Sequence, residues 1–341
     1  MNPLPFLDRL TIPAIAAPML RVSGYELVSA ACEAGVVGAF PTANCASLDE
    51  FGEWLGRLSR AAADNPRRGP FCPNLIMRRD PARVMAEAKL IVQHRTEVVI
   101  TSVGSPAAVI PALHDGGCEV LADVASVHHA ERAIEAGADG LVLLTAGAGG
   151  HTGWANPFSF VRAVRAIFDG PIVLAGGMSD GVALKAATVL GCDLGSFGTR
   201  FVATRESLGT PAYKQMLTES SLDDILVTRA FTGLPANFLK PSIERVGLDP
   251  AELDETVTVQ EARQRFGGGA DTAVIQRWQD LWSAGHAVSG VTSIPDVAEL
   301  VETLRMEYLG LAPTQLHAHA HMLSESAPQA PSHRPALPPA Q

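Results

Sequence analysis

The sequence predicts an α/β fold, a (β/α)8 barrel carrying a smaller, mostly helical C-terminal domain. Three observations predict it. Short apolar runs with β-branched residues alternate with Ala-rich amphipathic stretches at spacings of about 20–35 residues, the rhythm of parallel βα units. Eight such units fit into roughly the first 200 residues, which suits a closed barrel. The glycine-rich turns follow the sixth, seventh and eighth strands. An open doubly wound sheet, the alternative, carries its glycine signature after the first strand.

The elements follow in order. The first strand lies in residues 12–19 (IPAIAAPM), before a helix over 25–34. The second is 36–40 (VVGAF), before a helix over 48–62. The third is 71–77 (FCPNLIM), before a helix over 82–94. The fourth is 98–103 (VVITSV), before a short helix opening at Pro106. Proline suits a first helical turn because its missing N–H has no helical acceptor there anyway. The fifth is 119–124 (EVLADV), before a helix over 126–136 with Ser126 as N-cap. The sixth is 140–145 (GLVLLT). The seventh is 171–177 (PIVLAGG), before a helix over 181–190, and the eighth is 194–201 (LGSFGTRF). Each strand is apolar on both faces, as burial between a filled interior and a helix layer requires.

After residue 207 the rhythm changes. Residues 211–219 read as a helix, and 223–238 carry turn signals at Gly233 and Pro235. Residues 250–265 form a charged helical segment, Gly267 to Gly269 a flexible break, and 273–283 and 295–309 two more helices. The expected division is a barrel over 1–207 plus about 285–311, a helical substrate or lid domain over 208–284, and a disordered tail over 312–341. The tail histidines (His317, His319, His321, His333) fix no ligand geometry, so no metal site is expected.

Composition excludes several classes. With 47% hydrophobic and 18% charged residues among 341, the chain is too apolar for disorder. The net charge is −10, and the basic clusters Arg67-Arg68 and Arg78-Arg79 are short, so no nucleic-acid partner is expected. No apolar run reaches the roughly 18 residues of a membrane span, and the start MNPLPFLDRL lacks signal-peptide character. Five cysteines, an odd number with no CxxC, argue against a disulfide framework or structural zinc and point to a reducing cytoplasm.

Chemistry concentrates at the strand ends, where barrels place function. The run AGAGGHTG (146–153) sets His151 among glycines directly after the sixth strand. Gly147, Gly149 and Gly150 let backbone approach a ligand, and His151 is the nearby group able to titrate near neutrality. A tight turn with a partly exposed histidine is the plainer alternative. Gly176 and Gly177 end the seventh strand, with Ser179 and Asp180 before the next helix. Gly198, Thr199 and Arg200 close the eighth. Bare amides with a helix N-terminus make an anion site, expected here for phosphate, and Ser196 and Phe197 on the eighth strand are further cofactor-binding candidates. Tight strand–helix turns would need the same glycines. Pro18 and Met19 offer an apolar contact and an amide to a flat ring. Asn74 is a polar amide on an apolar strand and needs a partner, either ligand or backbone. Ser102 and Asp123 fit either a ligand or a helix cap. His128 and His129 read as surface groups, and Trp154 as a pocket wall or a residue under the lid.

Together these residues resemble the nitronate monooxygenase family, formerly called 2-nitropropane dioxygenases. The resemblance runs from about residue 12 to 309. It rests on IPAIAAPM, the asparagine of PNLIM, AGAGGHTG, PIVLAGGMSDG, GTRFVATRES and LWSAGHAVSG. The GGH-G loop is shared with a wider superfamily that includes flavin-dependent enoyl-acyl-carrier-protein reductases and some NADH:quinone reductases. The resemblance implies a TIM barrel binding FMN non-covalently. It implies phosphate on Gly177, Gly198 and Thr199, with Ala175 and Gly176 alongside. Met19 and Asn74 would meet the isoalloxazine ring, Gly149 and Gly150 would approach it from the loop, and His151 would be the catalytic or substrate-orienting group. Some relatives carry a lysine where this chain has Asp123, a polar group where it has Leu144, and a glutamine–glycine–glycine start where it has AAPM. The implied reaction oxidises an alkyl nitronate such as propionate 3-nitronate with FMN and O2, giving a carbonyl compound and nitrite. A protonated or hydrogen-bonding His151 would attract the nitro oxygens, and a neutral one would take an α-proton from a nitroalkane. An FMN-dependent NAD(P)H reductase of enoyl thioesters or quinones is the alternative. The expected partners are a small-molecule nitronate and O2, with no nucleic acid and no membrane. A homodimer is left open as the assembly.

Overall fold

A computed structural model describes residues 4–267 and 275–311. Its first half alternates strand and helix: β1 (Ala14–Ala16), α1 (Tyr25–Glu33), β2 (Val37–Pro41), α2 (Leu48–Asp64), β3 (Phe71–Ile76), α3 (Pro81–Gln93), β4 (Val98–Ser102) and α4 (Ile110–Asp115). It continues with β5 (Glu119–Val124), α5 (Val127–Glu135), β6 (Gly140–Leu144), the two-residue β7 (Gly150–His151), α6 (Pro157–Arg165), β8 (Ile172–Ala175), α7 (Gly181–Leu190) and β9 (Leu194–Phe197). Strands β1 to β6, β8 and β9 close into one parallel barrel, with β9 pairing back onto β1 at Ile15 and Ser196. The fold is the (β/α)8 barrel expected from the βα rhythm.

Two apolar layers hold it. Inside the barrel pack Ile15, Val37, Cys72, Ile100, Leu121, Val142, Val173 and Leu194. Phe6, from a 3-10 helix at Pro5–Arg9, and Leu4 just before that helix add to this layer. Outside, helix faces cover the alternate strand residues, for example Leu141, Leu143, Leu174 and Phe197 beneath Phe160, Val164 and Leu184. Side chains of a strand alternate in direction, so each strand serves both layers.

The last helix, α12, spans Val297–Leu309 and packs against α7 and α1. Contact is close at Gly181, where an added Cβ would lie 2.2 Å from the Leu304 carbonyl. Glu307 seals the joint, its carboxylate accepting from the Gly181 amide at 2.9 Å.

Between these parts lie α8 (Thr199–Val202), α9 (Pro211–Glu219), β10 (Ile225–Thr228), β11 (Ala236–Leu239), α10 (Lys240–Arg245) and α11 (Val259–Phe266). Several expectations are corrected here. The eighth strand stops at Phe197, and GTRF turns into α8. Residues 223–238 hold a hairpin, β10–β11, extended by β7 into a three-stranded sheet. In 250–265 the helix begins only at Val259, where Thr258 and Glu261 cap each other. Residues 275–283 form turns around an isolated bridge between Arg277 and Leu281, with no helix, and Trp278 sits at φ 65°. Helix α6 was not anticipated, and Asn156 caps it by accepting from the Phe158 amide. The glycine break and the tail at 312–341 fall mostly outside the described residues.

All five cysteines are buried and unpaired. Burial pushes the thiols of Cys32, Cys45 and Cys192 up to about 12. Among the described residues no helix is long and apolar enough to cross a membrane, and no cluster of metal-ligating side chains occurs.

Candidate active site at the barrel mouth

The interior layer fixes which side chains reach the mouth. Cys72, Ile100, Leu121, Val142, Val173 and Leu194 point inward. Two residues further along each strand, the same face carries Asn74, Ser102, Asp123, Leu144, Ala175 and Ser196. The mouth is therefore polar over β3 to β5 and apolar or small over β6 and β8. Asn74 donates to Ser102 Oγ at 3.0 Å and to the Ile100 carbonyl at 3.2 Å, so backbone and a neighbouring hydroxyl meet its needs. Asp123 has no hydrogen-bond or ionic partner among the described residues. Burial alone raises its carboxyl to about 7.

At the β8 and β9 ends the amides of Gly176, Gly177 and Gly198 meet no acceptor among the described residues. Gly177, at φ 74°, has no heavy atom within 4 Å of the position a Cβ would take. At Gly198 the nearest atoms to such a Cβ are Met19 Sδ at 3.8 Å and Ala17 Cβ at 3.9 Å. Unpaired donors around open space suit an anion. The α7 N-terminus adds less than expected. Asp180 accepts from the Ala183 amide at 2.7 Å, and Glu307 takes the Gly181 amide. Arg200 was noted in the sequence only as the residue after Thr199. It bridges the Ser179 carbonyl, at 3.1 Å, to the Gly290 carbonyl and places a half-buried cation beside this seat.

The histidine loop is held from the C-terminal region. β7 pairs with β11, Ala236 opposite His151 and Asn237 opposite Gly150. Asn237 is buried and donates to the carbonyls of Ala146, at 3.0 Å, and Ala148, at 2.7 Å. Thr152 Oγ1 donates to the Thr145 carbonyl at 2.7 Å. Gly285 lies directly on the loop, its amide 2.8 Å from where a Gly149 Cβ would sit. That same amide donates to Thr199 Oγ1 at 2.9 Å, which ties the sixth and eighth strand ends together. The His151 ring stands edge-on to Trp278, with centroids 5.8 Å apart, and Trp278 stacks on Phe238 at 5.1 Å. Burial, then the Arg277 charge, lowers the imidazole to about 4. Both influences favour the neutral imidazole, the form expected to take an α-proton from a nitroalkane.

The remaining candidates are placed as follows. Met19 and Pro18 are part-buried beside β9, and Asn44 pins their turn by donating to the Met19 carbonyl at 2.9 Å. Phe197 points the other way, fully buried in the outer layer, so its side chain is withheld from the mouth. Ser196 and Ala175 face inward and Thr199 is buried beside them. Trp154 is 84% exposed, at the rim of a cavity of about 270 Å³ lined also by Gly147, Gly176, Gly177 and His286, and is not under a lid. His128 and His129 are exposed on α5. The sequence reading missed Asn237, Arg277 and Trp278. The signal for Asn237 was a buried amide between apolar neighbours in PANFL.

Fold and rim together define a (β/α)8-barrel enzyme with its chemistry at the C-terminal strand ends. The nitronate monooxygenase family model matches residues 73–307, and the chain belongs to that family of oxidoreductases. A nitronate monooxygenase of Pseudomonas aeruginosa is 28% identical, over 87% of this chain and 96% of its own length. A (3aS,4S,5R,7aS)-5-hydroxy-7a-methyl-1-oxo-octahydro-1H-indene-4-carboxyl-CoA dehydrogenase of Mycobacterium tuberculosis is 28% identical, over 71% of this chain and 67% of its own length. The structure of FabK from Thermotoga maritima superposes with a TM-score of 0.75 at 26% identity, covering 94% of this chain and 99% of that one.

Proposed function

We propose that the protein is an FMN-dependent nitronate monooxygenase acting on small alkyl nitronates such as propionate 3-nitronate. The unpaired amides of Gly176, Gly177 and Gly198 at adjacent strand ends, with open space beside Gly177 and Gly198, carry this reading. They fit a terminal phosphate, with Thr199, Ala175 and Ser196 beside it. Asn74, Asp123, Pro18 and Met19 would border the ring, and Gly149 and Gly150 would approach from the histidine loop. FMN, when bound, supplies an acceptor for electrons from the nitronate and passes them to oxygen.

The chain's own groups prepare the substrate. His151 is neutral, so it accepts a proton at one ring nitrogen or donates from the other. A neutral nitroalkane would lose its α-proton to it, and a nitronate would be oriented by hydrogen bonding. Trp278, backed by Phe238, walls that side of the imidazole. Residues 208–284 would act as the lid domain, since their β11 strand carries the histidine loop. The five reduced thiols agree with a cytoplasmic location.

A second reading is an FMN-dependent reductase drawing on NAD(P)H. An aromatic wall with Arg277 beside His151 favours it, because such groups also clamp a nicotinamide nucleotide. Anaerobic mixing of the yellow protein with propionate 3-nitronate, a small alkyl nitronate and NADH in parallel separates the two. Bleaching by nitronate alone supports the monooxygenase, and bleaching by NADH alone supports the reductase. A protein that takes up no FMN refutes both.

A further inference from the structure

We infer that His286 completes the anion seat, donating an imidazole N–H to a phosphate monoester held on the amides of Gly176 and Gly177. The inference rests on the phosphate part of the reading above and adds a side chain to it. It needs only the anion, not the orientation of a flavin ring.

Three strand ends build the arrangement. The His286 amide donates to the Gly147 carbonyl at 3.0 Å, and the Gly285 amide to Thr199 Oγ1 at 2.9 Å. The segment is thus pinned to the loop after β6 and to the start of α8 after β9. The end of β8 adjoins the same loop. A Cβ built on Gly147 would lie 3.0 Å from the Gly177 nitrogen and 3.2 Å from His286 Cγ. One point touches both groups, so hydrogen bonds of about 2.8 Å to two oxygens of one phosphate can span the gap. Gly176, Gly177 and His286 also line one cavity, of about 270 Å³.

Both sides of the gap lack partners. The two glycine amides meet no acceptor, and the imidazole has no hydrogen bond or ion pair among the described residues. The cavity's other side chains, such as Thr145, Trp154 and Asn156, carry no charge, which leaves His286 as its titratable group. Charges on the elements packed against residues 286–290 are engaged elsewhere or face solvent. Arg200 of α8 donates to the carbonyls of Ser179 and Gly290, and Lys214 of α9 to those of Arg205 and Ser207. In the 3-10 turn at Leu222–Asp224, Asp224 accepts from Ser221 and Asp223 is exposed. Asp180, after Gly177, caps α7. A phosphate dianion beside an imidazole favours its protonated form. Burial alone holds the free ring below its ordinary 6.5, so it gains a proton as the phosphate binds.

The test is calorimetric titration of apo wild type, His286→Ala and His286→Gln at pH 7.5 with FMN, riboflavin and inorganic phosphate. His286→Ala should bind FMN about tenfold more weakly and riboflavin, which has no phosphate, equally well. His286→Gln keeps an N–H donor and should recover part of the loss. Repeating the FMN titration in two buffers of different ionisation enthalpy should show greater proton uptake by the wild type than by His286→Ala. Undiminished FMN affinity in His286→Ala, an equal loss for FMN and riboflavin, or equal proton uptake overturns the inference. Should the wild type take up neither flavin, the cofactor reading fails and inorganic phosphate decides. A rise in melting temperature with phosphate that His286→Ala lacks then supports the seat, and identical responses overturn it.

Discussion

Asn237 and Ala148 join two parts of the molecule that lie far apart in sequence, through an amide donating to a carbonyl at 2.7 Å. With the second bond to Ala146, the side chain of β11 holds both ends of the glycine turn that leads into His151. Replacing it by Ala leaves two carbonyls without their donor, at a cost of about 1–3 kcal/mol for a buried acceptor. Asn237→Ala should lower the urea midpoint and cut nitronate turnover at least tenfold while FMN stays bound. Unchanged turnover in that variant would mean the loop does not depend on this tether.

His151 is expected to be needed for reaction and dispensable for cofactor. His151→Ala should keep its yellow colour and lose about 10²–10⁴-fold in turnover, the usual contribution of a positioned acid–base group. Because burial holds the imidazole at about 4, the wild-type rate should show no titration of this group between pH 5.5 and 8. Stopped-flow traces at several pH values check both points.

Two glycines of the anion seat should respond differently. At Gly198 a Cβ meets nothing closer than 3.8 Å, so Gly198→Val should fold with little change in melting temperature. Its added bulk enters the open space and should weaken FMN at least tenfold. At Gly176, φ is 121° and a Cβ would lie 2.3 Å from Thr145 Oγ1. Gly176→Ala should therefore be destabilised by several kcal/mol, through clash and backbone strain together. Calorimetry alongside FMN titration tells the two effects apart. Equal loss of stability in both variants would contradict the geometry.

Stability should carry two opposed pH dependences in the apo protein. The folded His151 titrates at about 4 against an ordinary 6.5, so the unfolded chain binds more protons between these values. Its contribution is intact above pH 6.5 and is lost as pH falls toward 4. Asp123 runs the other way. Its folded value is about 7 against 3.8, so its contribution is intact below pH 3.8 and is lost as pH rises through 7. Melting curves should show His151→Gln gaining on the wild type at pH 4.5 but not at pH 8, and Asp123→Asn gaining at pH 8 but not at pH 4.5. Parallel shifts at both pH values would refute the assigned titrations.

The barrel was legible because its physics is local. Each βα unit declares itself by an apolar run and an amphipathic partner, and caps such as Ser126 mark the boundaries. The glycines at 176, 177 and 198 were legible for the same reason, since a turn at a strand end needs them. What escaped was long-range. Nothing near Ala236 or Asn237 announces that their partners are Gly150 and His151, because β pairing depends on contacts distant in sequence. The region around Trp278 reads as a helix from composition, yet Trp278 is committed to Phe238 and His151, and tertiary packing prevails over propensity. The outward turn of Phe197 follows from strand parity, which needed the register of β9 to be known.

The buried, unreactive state of all five thiols turns them into a clock for unfolding. Alkylating reagents will find no target while the native chain stays shut, so the speed of labelling reports how often it opens. Mapping which sulfur reacts first would rank the barrel's sectors by how readily each one comes apart.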